Sequence, residues 1–429
     1  MILRDQGLQR RIGPFALAAA VVNGVVGAGI FGLPAAMAQA AGTLAPFAYL
    51  LCAMAMGLVV LCFAEAGSRM PTSGGVYGYV ADAFGPMAGF LCGMLTWTAS
   101  VLACGGIASA LAATVGTAIP MAAAGPGRAG IILAAIGGIA WVNLRGVRAA
   151  AGLVSVATLV KLVPLVGFVA LGLLPVPAGV PPPVAHAASA GLGQGVILAV
   201  FAFSGMETVL GASGEVANPH RSLPRALFAA MGFVLVLYVG IQLVAQRLLG
   251  ADLAHATAPL AQAAARIGPV AGAVLTVGAG LSMLGWIGSD ILGAPRILFA
   301  FARDGLLPTP LGHVSVRAGT PDVAILVHAG LAAALALSGS FTPLIVASTL
   351  NTAALYFLGC AAAWVLHRRG TQTFGVPVSF AAMPAVAAGA MLCMAVLVGV
   401  APGVQVLGLA AVIAASCGLF VAMRALRGD

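Results

Sequence analysis

Apolar residues run along this chain in long unbroken blocks, and charged positions fall almost only between them. Residues 12–64 contain no Asp, Glu, Lys or Arg for 53 residues, room for two membrane-crossing helices with a turn near Gly42, since each needs about 20 residues. Residues 323–367 and 370–423 hold two more spans each, and single spans fit 84–117, 129–144, 149–174, 191–213, 226–246 and 267–300. The pattern predicts an all-α polytopic membrane protein with twelve transmembrane helices. The longer polar connections, near 68–83, 175–190, 247–266 and 303–321, leave no room for a soluble domain, and 175–190 reads as an extended outer loop.

Composition agrees. Hydrophobic residues make up 62% of the 429 and charged residues 7%, whereas a soluble domain spends about a quarter of its residues on charge. The 58 Gly and 25 Pro are interleaved with Leu, Val, Ile and Phe, a mixture that suits membrane helices and not disorder. Of nineteen Lys and Arg, fifteen fall in one alternating set of loops and only Arg128, Arg247 and Arg266 in the other. The bias predicts both termini on the cytoplasmic side of a plasma membrane, the inner membrane of a bacterium. It also explains the net charge of +9 by topology, with no nucleic-acid partner. The first segment is not read as a cleavable signal, because uninterrupted spans follow it.

Several chemistries are excluded. All seven cysteines fall inside spans, where a thiol serves as a small apolar side chain, so no disulfide or metal framework is expected. The histidines form no HExxH or Cys/His ligand spacing; His328 alone lies within a span and reads as packed and hydrogen-bonded. No GxxxxGK[ST] loop points to ATP, and no Ser/His/Asp set, carboxylate pair or metal-ligand group converges at one membrane depth. The chain is expected to be no enzyme and to need no cofactor.

Two spans are interrupted. Span 1 crowds Gly24, Gly27, Gly29, Gly32 and Pro34 into eleven residues, and span 6 carries Gly205 at its middle with Gly211 and Gly214 following. A glycine in a helix interior costs about 1 kcal/mol relative to Ala. Spans 1 and 6 head two sets of five, and five is odd, so the second set enters the membrane from the opposite face as an inverted repeat. Unwound backbone at membrane depth persists only where it is buried or lines a cavity. There, the half-helix start near Gly29 and Ile30 offers N–H groups to a carboxylate. Carbonyls around Val25 and from Phe201 to Ser204 offer oxygens to an ammonium group. Together they describe a site for an α-amino acid. Close helix packing of the GxxxG type is the alternative, and it accounts for one such break better than for two in register.

Ionisable residues within spans point the same way. Lys161 lies thirteen residues past Arg148, about 20 Å up span 5 at 1.5 Å per residue. It reads as a coupling residue, with neutralisation by Asp290 as the alternative. Glu207, two residues past Gly205, is a gate, a ligand for a substrate cation or a cap. Asp290 is expected in a salt bridge in the cytoplasmic half of span 8. Phe31, Phe201, Phe203, Trp97 and Trp286 are the aromatics able to close over a substrate.

Four segments carry a family resemblance: VVGAGIFGLP in span 1, EAGSRMPTSGGVYGY after span 2, FAFSGMETVLGASGEVANPHRSLPRA across span 6, and RILFAFARDGLLP at the end of span 8. They resemble the amino acid-polyamine-organocation (APC) superfamily of transporters over nearly the whole chain. The resemblance implies the LeuT-type fold, a 5+5 inverted repeat plus two C-terminal helices: spans 1–5 over 12–174, spans 6–10 over 191–369, and spans 11–12 with a tail over 370–429. It implies that a substrate carboxylate meets the backbone at Gly27, Ala28 and Gly29, and the amino group carbonyls near Val25, Phe201 and Ser204. Lys161 matches a lysine of sodium-independent members whose ammonium replaces a sodium ion between spans 1 and 8. Phe201 and Glu207 stand where the arginine/agmatine antiporter branch has a gating aromatic and a proton-sensing glutamate, although that aromatic is Trp in the branch. Span 6 lies nearest to this basic amino acid/polyamine branch.

The expected function is secondary, sodium-independent amino acid transport, coupled to protons or to exchange, by alternating access at a midplane site. Arginine/agmatine or polyamine exchange is the same-class alternative; a transport-dead sensor or a channel on this fold is the alternative from another class. The partners expected are an amino acid or amine, protons and the lipid bilayer.

Overall fold

The computed structural model describes residues 13–70, 75–145, 161–174, 189–207, 216, 218–315, 318–372 and 378–427. The fold is all-helical. Span 1 is split into α1 (Pro14–Val25) and α2 (Leu33–Ala41), followed by α3 (Ala45–Arg69). A short helix α4 (Gly75–Phe84) occupies the connection to α5 (Pro86–Ala118), and α6 (Gly125–Arg145) follows. Next come α7 (Lys161–Gly172) and α8 (Ser189–Phe203). The second half continues through α9 (Pro219–Leu249), α10 (Pro259–Ile267), α11 (Pro269–Gly293) and α12 (Pro295–Arg303). It closes with α13 (Asp322–Ser338), α14 (Phe341–Arg368), α15 (Met383–Gly399) and α16 (Gly403–Arg427).

Among the described residues, seven helices are long and apolar enough to cross a membrane, and four shorter apolar helices accompany them. Proline marks many starts: Pro14, Pro86, Pro219, Pro259, Pro269 and Pro295 each begin a helix, where the missing N–H has no partner to lose. Pro295 does more, because it interrupts the hydrogen-bond ladder between α11 and α12 while Ala294 stays helical, so that Pro269–Arg303 still runs as one apolar span where 267–300 was expected. Two expected loops hold helices instead: α4 begins within 68–83 and α10 within 247–266.

The packing is close and small-residue-rich. α14 lies against α5, α9 against both α1 and α3, and α8 against α3. Tyr49, Phe203 and Tyr238 bind α3, α8 and α9 together, with ring centroids 5.8–6.5 Å apart, the spacing of favourable aromatic pairs. At the end of α3 the loop cation Arg69 is buried. It pairs with Glu65 at 2.6 Å, and Glu65 also meets His367 Nδ1 at 2.6 Å, so α3 is tied to α14. Other arginines cap helix ends: Arg128 reaches the carbonyls of Ala336 and Gly339, and Arg247 those of Gly172 and Leu173. Cations placed there complement the carbonyls left open by each last turn.

Candidate functional site

The break in span 1 follows from its glycines. Helical pairing ends where Val26 N donates to Val22 O at 2.7 Å; Gly27 is then extended and donates to Val25 O at 2.7 Å. One 3-10 turn over Ala28–Phe31 follows before α2 resumes at Leu33. The regular half-helix thus starts later than the expected Gly29–Ile30. The turn's first amides, at Ala28 and Gly29, have no earlier carbonyl of the turn to bond and are donors suited to an anion.

The second break meets the first. α8 ends at Phe203, Ser204 folds back onto Phe201 O through its amide (3.2 Å) and its hydroxyl (2.7 Å), and Gly205 takes φ +113°. A side chain at 205 would place its Cβ 2.5 Å from Gly24 O, so only glycine lets the two broken backbones touch. Glu207 accepts the Gly205 N–H at 2.9 and 3.1 Å and the Tyr356 hydroxyl at 2.7 Å. Glu207 also lines the cavity beside the break. Residues 208–215, with Gly211 and Gly214, lie outside the described residues.

Between the breaks and α5, α11 and α14 lies a cavity of about 610 Å³. Backbone at Val25, Gly27 and Gly29 forms one wall, together with Phe201 and Ser204; Trp286 and Asp290 of α11 form another. The aromatics pack edge-on to the break: a Cβ on Gly27 would lie 3.2 Å from the Trp286 ring, and one on Gly29 would collide with the Phe201 ring. Phe201 and Trp286 therefore face the cavity as expected. Phe31, Phe203 and Trp97 do not line it; Phe203 belongs to the aromatic packing with Tyr49 and Tyr238.

Lys161 lines the cavity and donates from Nζ to Asn23 O at 2.7 Å, tying α7 to α1 just before the break. Its depth relative to Arg148 falls outside the described residues. The ammonium bonds a backbone carbonyl and not, as the alternative had it, the carboxylate of Asp290. Two of the carbonyls expected to be unpaired are partnered: Val25 O accepts from Gly27 N and from the Tyr238 hydroxyl at 3.0 Å, and Phe201 O accepts from Ser204.

Asp290, expected in a salt bridge, pairs with His328 and not with Lys161. One oxygen accepts from the Ser100 hydroxyl and the other meets His328 Nε2 at 2.8 Å. The thiol of Cys104 lies in the same group, within 4.8 Å of the other two donor atoms. The expectation that no metal-ligating residues converge is thereby corrected. The reason is tertiary, since the three sit on α5, α11 and α13, far apart in sequence.

The sequence reading also missed a polar ladder on α9. Tyr238, Gln242 and Gln246, each four residues apart, reach the carbonyls of Val25, Pro34 (3.4 Å) and Gly42 (2.7 Å) along the broken span 1. Polar residues recurring every four positions in an otherwise apolar helix were the available signal.

Comparison with known proteins agrees with this architecture. Residues 12–423 match the family model described as amino acid permease. The chain is similar to the serine/threonine exchanger SteT of Bacillus subtilis, 26% identical over 390 residues and covering 88% of each chain. It is similar to the branched-chain amino acid permease BcaP of Lactococcus lactis, 28% identical with 69% of each chain covered. It is also similar to the human Asc-type amino acid transporter 1, 29% identical over 79% of this chain and 68% of that one.

Proposed function

From its place in the amino acid permease family, to which this chain belongs, we propose that the protein moves small neutral α-amino acids across the membrane without sodium, by alternating access at the cavity between the two breaks. The observation that carries the proposal is the contact of Gly205 with the backbone of Gly24, which brings both unwound segments to one cavity. The substrate carboxylate is taken by the backbone at Gly27, Ala28 and Gly29. The amino group bonds Phe201 O by displacing the Ser204 hydroxyl, near Val25, whose own carbonyl is already doubly engaged. Ser100, Ser289 and Ser348 line the facing wall, and their small side chains leave room for a short substrate side chain. Relatives named for serine/threonine exchange and branched-chain amino acids support a neutral substrate.

Lys161 supports sodium independence. Sodium would be held by oxygen ligands, and its ammonium already occupies one such oxygen at Asn23. The carboxylate of Glu207 is already engaged by Gly205 and Tyr356, which weighs against arginine/agmatine exchange.

A twelve-span, 5+5 arrangement is supported by the packing. Exchange of the two repeats turns the span 1–span 7 contact into the span 6–span 2 contact, and both occur, as α1 with α9 and α8 with α3. It likewise relates α5 with α13 to α11 with α6, and both are present. In this reading 12–174 and 191–369 are the repeats, 370–429 is an addition, and both termini are cytoplasmic in a bacterial inner membrane.

Counterflow in proteoliposomes tests the proposal. Vesicles loaded with unlabelled neutral amino acids should accumulate labelled external serine, alanine or leucine with sodium absent. Accumulation of arginine or agmatine alone would overturn the neutral assignment, and binding without accumulation would reveal a sensor.

A further inference from the structure

We propose that Cys104, Asp290 and His328 form a binding site for a divalent cation of the zinc class in the wall of the cavity. A sulfur, a carboxylate oxygen and an imidazole nitrogen from three helices lie within 4.8 Å of one another. Cys104 and His328 are fully buried, while Asp290 also lines the cavity. An ion arriving in the cavity therefore meets the carboxylate first, with the imidazole and the thiol behind it.

The spacing suits coordination. Tetrahedral zinc bonds of about 2.0–2.3 Å set neighbouring ligand atoms roughly 3.3–3.7 Å apart. The Asp290–His328 pair, now 2.8 Å apart, opens by roughly half an ångström on that geometry. Ser100 releases its carboxylate oxygen when the ion binds. The Asp290 carboxylate holds the ring proton on Nε2, and His328 Nδ1, which has no partner, is free to take that proton when an ion displaces it. On binding, the proton moves to Nδ1, Nε2 becomes the ligand, and the Cys104 thiol proton leaves to the cavity.

Charge favours the same ion. A thiolate and a carboxylate cancel the two positive charges, so the occupied site adds no net charge to a membrane interior where an uncompensated one is costly. The thiolate selects zinc-like ions over magnesium or calcium, which take oxygen ligands. The fourth position faces the cavity and is open to water. Asp290 lies one helical turn from Trp286, so a bound ion obstructs the substrate and locks α5, α11 and α13 together.

The test uses the purified full-length protein, titrated with Co²⁺ and then Zn²⁺. One Co²⁺ per chain should bind with a thiolate-to-cobalt absorption band and be displaced by Zn²⁺. Cys104→Ser should lose the band and weaken Zn²⁺ binding at least tenfold, and His328→Gln should weaken it independently should the first variant fold poorly. In proteoliposomes, Zn²⁺ should lower uptake by the wild type, a chelator should restore it, and Cys104→Ser should resist. No saturable binding by the wild type, or a band that persists in Cys104→Ser, would show the trio to be only a hydrogen-bonded tie between helices. Metal binding is read without transport, so a carrier that takes up no amino acid but binds cobalt removes the transport proposal alone.

Discussion

The ammonium of Lys161 holds the carbonyl of Asn23 at 2.7 Å, one turn before the backbone of span 1 comes apart. That bond joins the short helix α7 to the unwound segment, and in a two-state carrier it stabilises whichever state preserves it. A hydrogen bond to a charged group contributes about 1.5–3 kcal/mol, equivalent to roughly ten- to hundredfold in an equilibrium. Lys161→Ala should lower the initial rate of counterflow by that factor while the protein still inserts and elutes normally. Wild-type rates in the variant would reduce Lys161 to a packing role.

Gly29 and Phe201 form a tight steric pair. Because a methyl group at 29 collides with the Phe201 ring, Gly29→Ala should nearly abolish uptake; overpacking of this kind costs about 1–3 kcal/mol. Gly27→Ala, with 3.2 Å to a movable Trp286 edge, should do less harm. The double variant Gly29→Ala/Phe201→Leu should recover part of the lost substrate affinity, measured by binding of a labelled amino acid. Simple additivity of the two single effects would show that the collision is not the cause.

For Glu207 the hydrogen bonds predict tolerance of a neutral acceptor. Glutamine retains an oxygen for the Gly205 N–H and the Tyr356 hydroxyl. Glu207→Gln should keep uptake of a neutral amino acid within about tenfold of wild type, since a single such bond is worth about 1 kcal/mol. Glu207→Ala, which removes the acceptor of the buried Tyr356 hydroxyl, should lose more. If glutamine abolishes transport outright, the carboxylate charge matters and the exchange reading regains its footing.

The α9 ladder separates binding from stability. Tyr238→Phe removes one of the two donors that fix the backbone at Val25 beside the cavity, so KM should rise about fivefold, the equivalent of about 1 kcal/mol. Gln246→Ala strips the Gly42 carbonyl far from it and should lower the melting temperature with KM unchanged. A KM change of equal size in both variants would show that the ladder acts as one unit.

Much of the fold is visible in one dimension, because burial in lipid demands long apolar helices whatever their neighbours. The long apolar stretches, the interruptions at Gly24–Pro34 and Gly205, and the presence of Lys161, Glu207 and Asp290 within those stretches all follow from residue order. The helices α4 and α10 escaped notice because they are short and sit among polar residues.

Which polar groups meet was decided only in three dimensions. Asp290 pairs with His328 and Ser100, not Lys161; Glu207 turns onto its own backbone; Cys104 joins a cluster instead of serving as filler. Sequence determines that a buried polar atom in a membrane helix must find a partner. The crossing and rotation of helices distant along the chain determine which partner it finds, and those depend on the packing of every side chain at once.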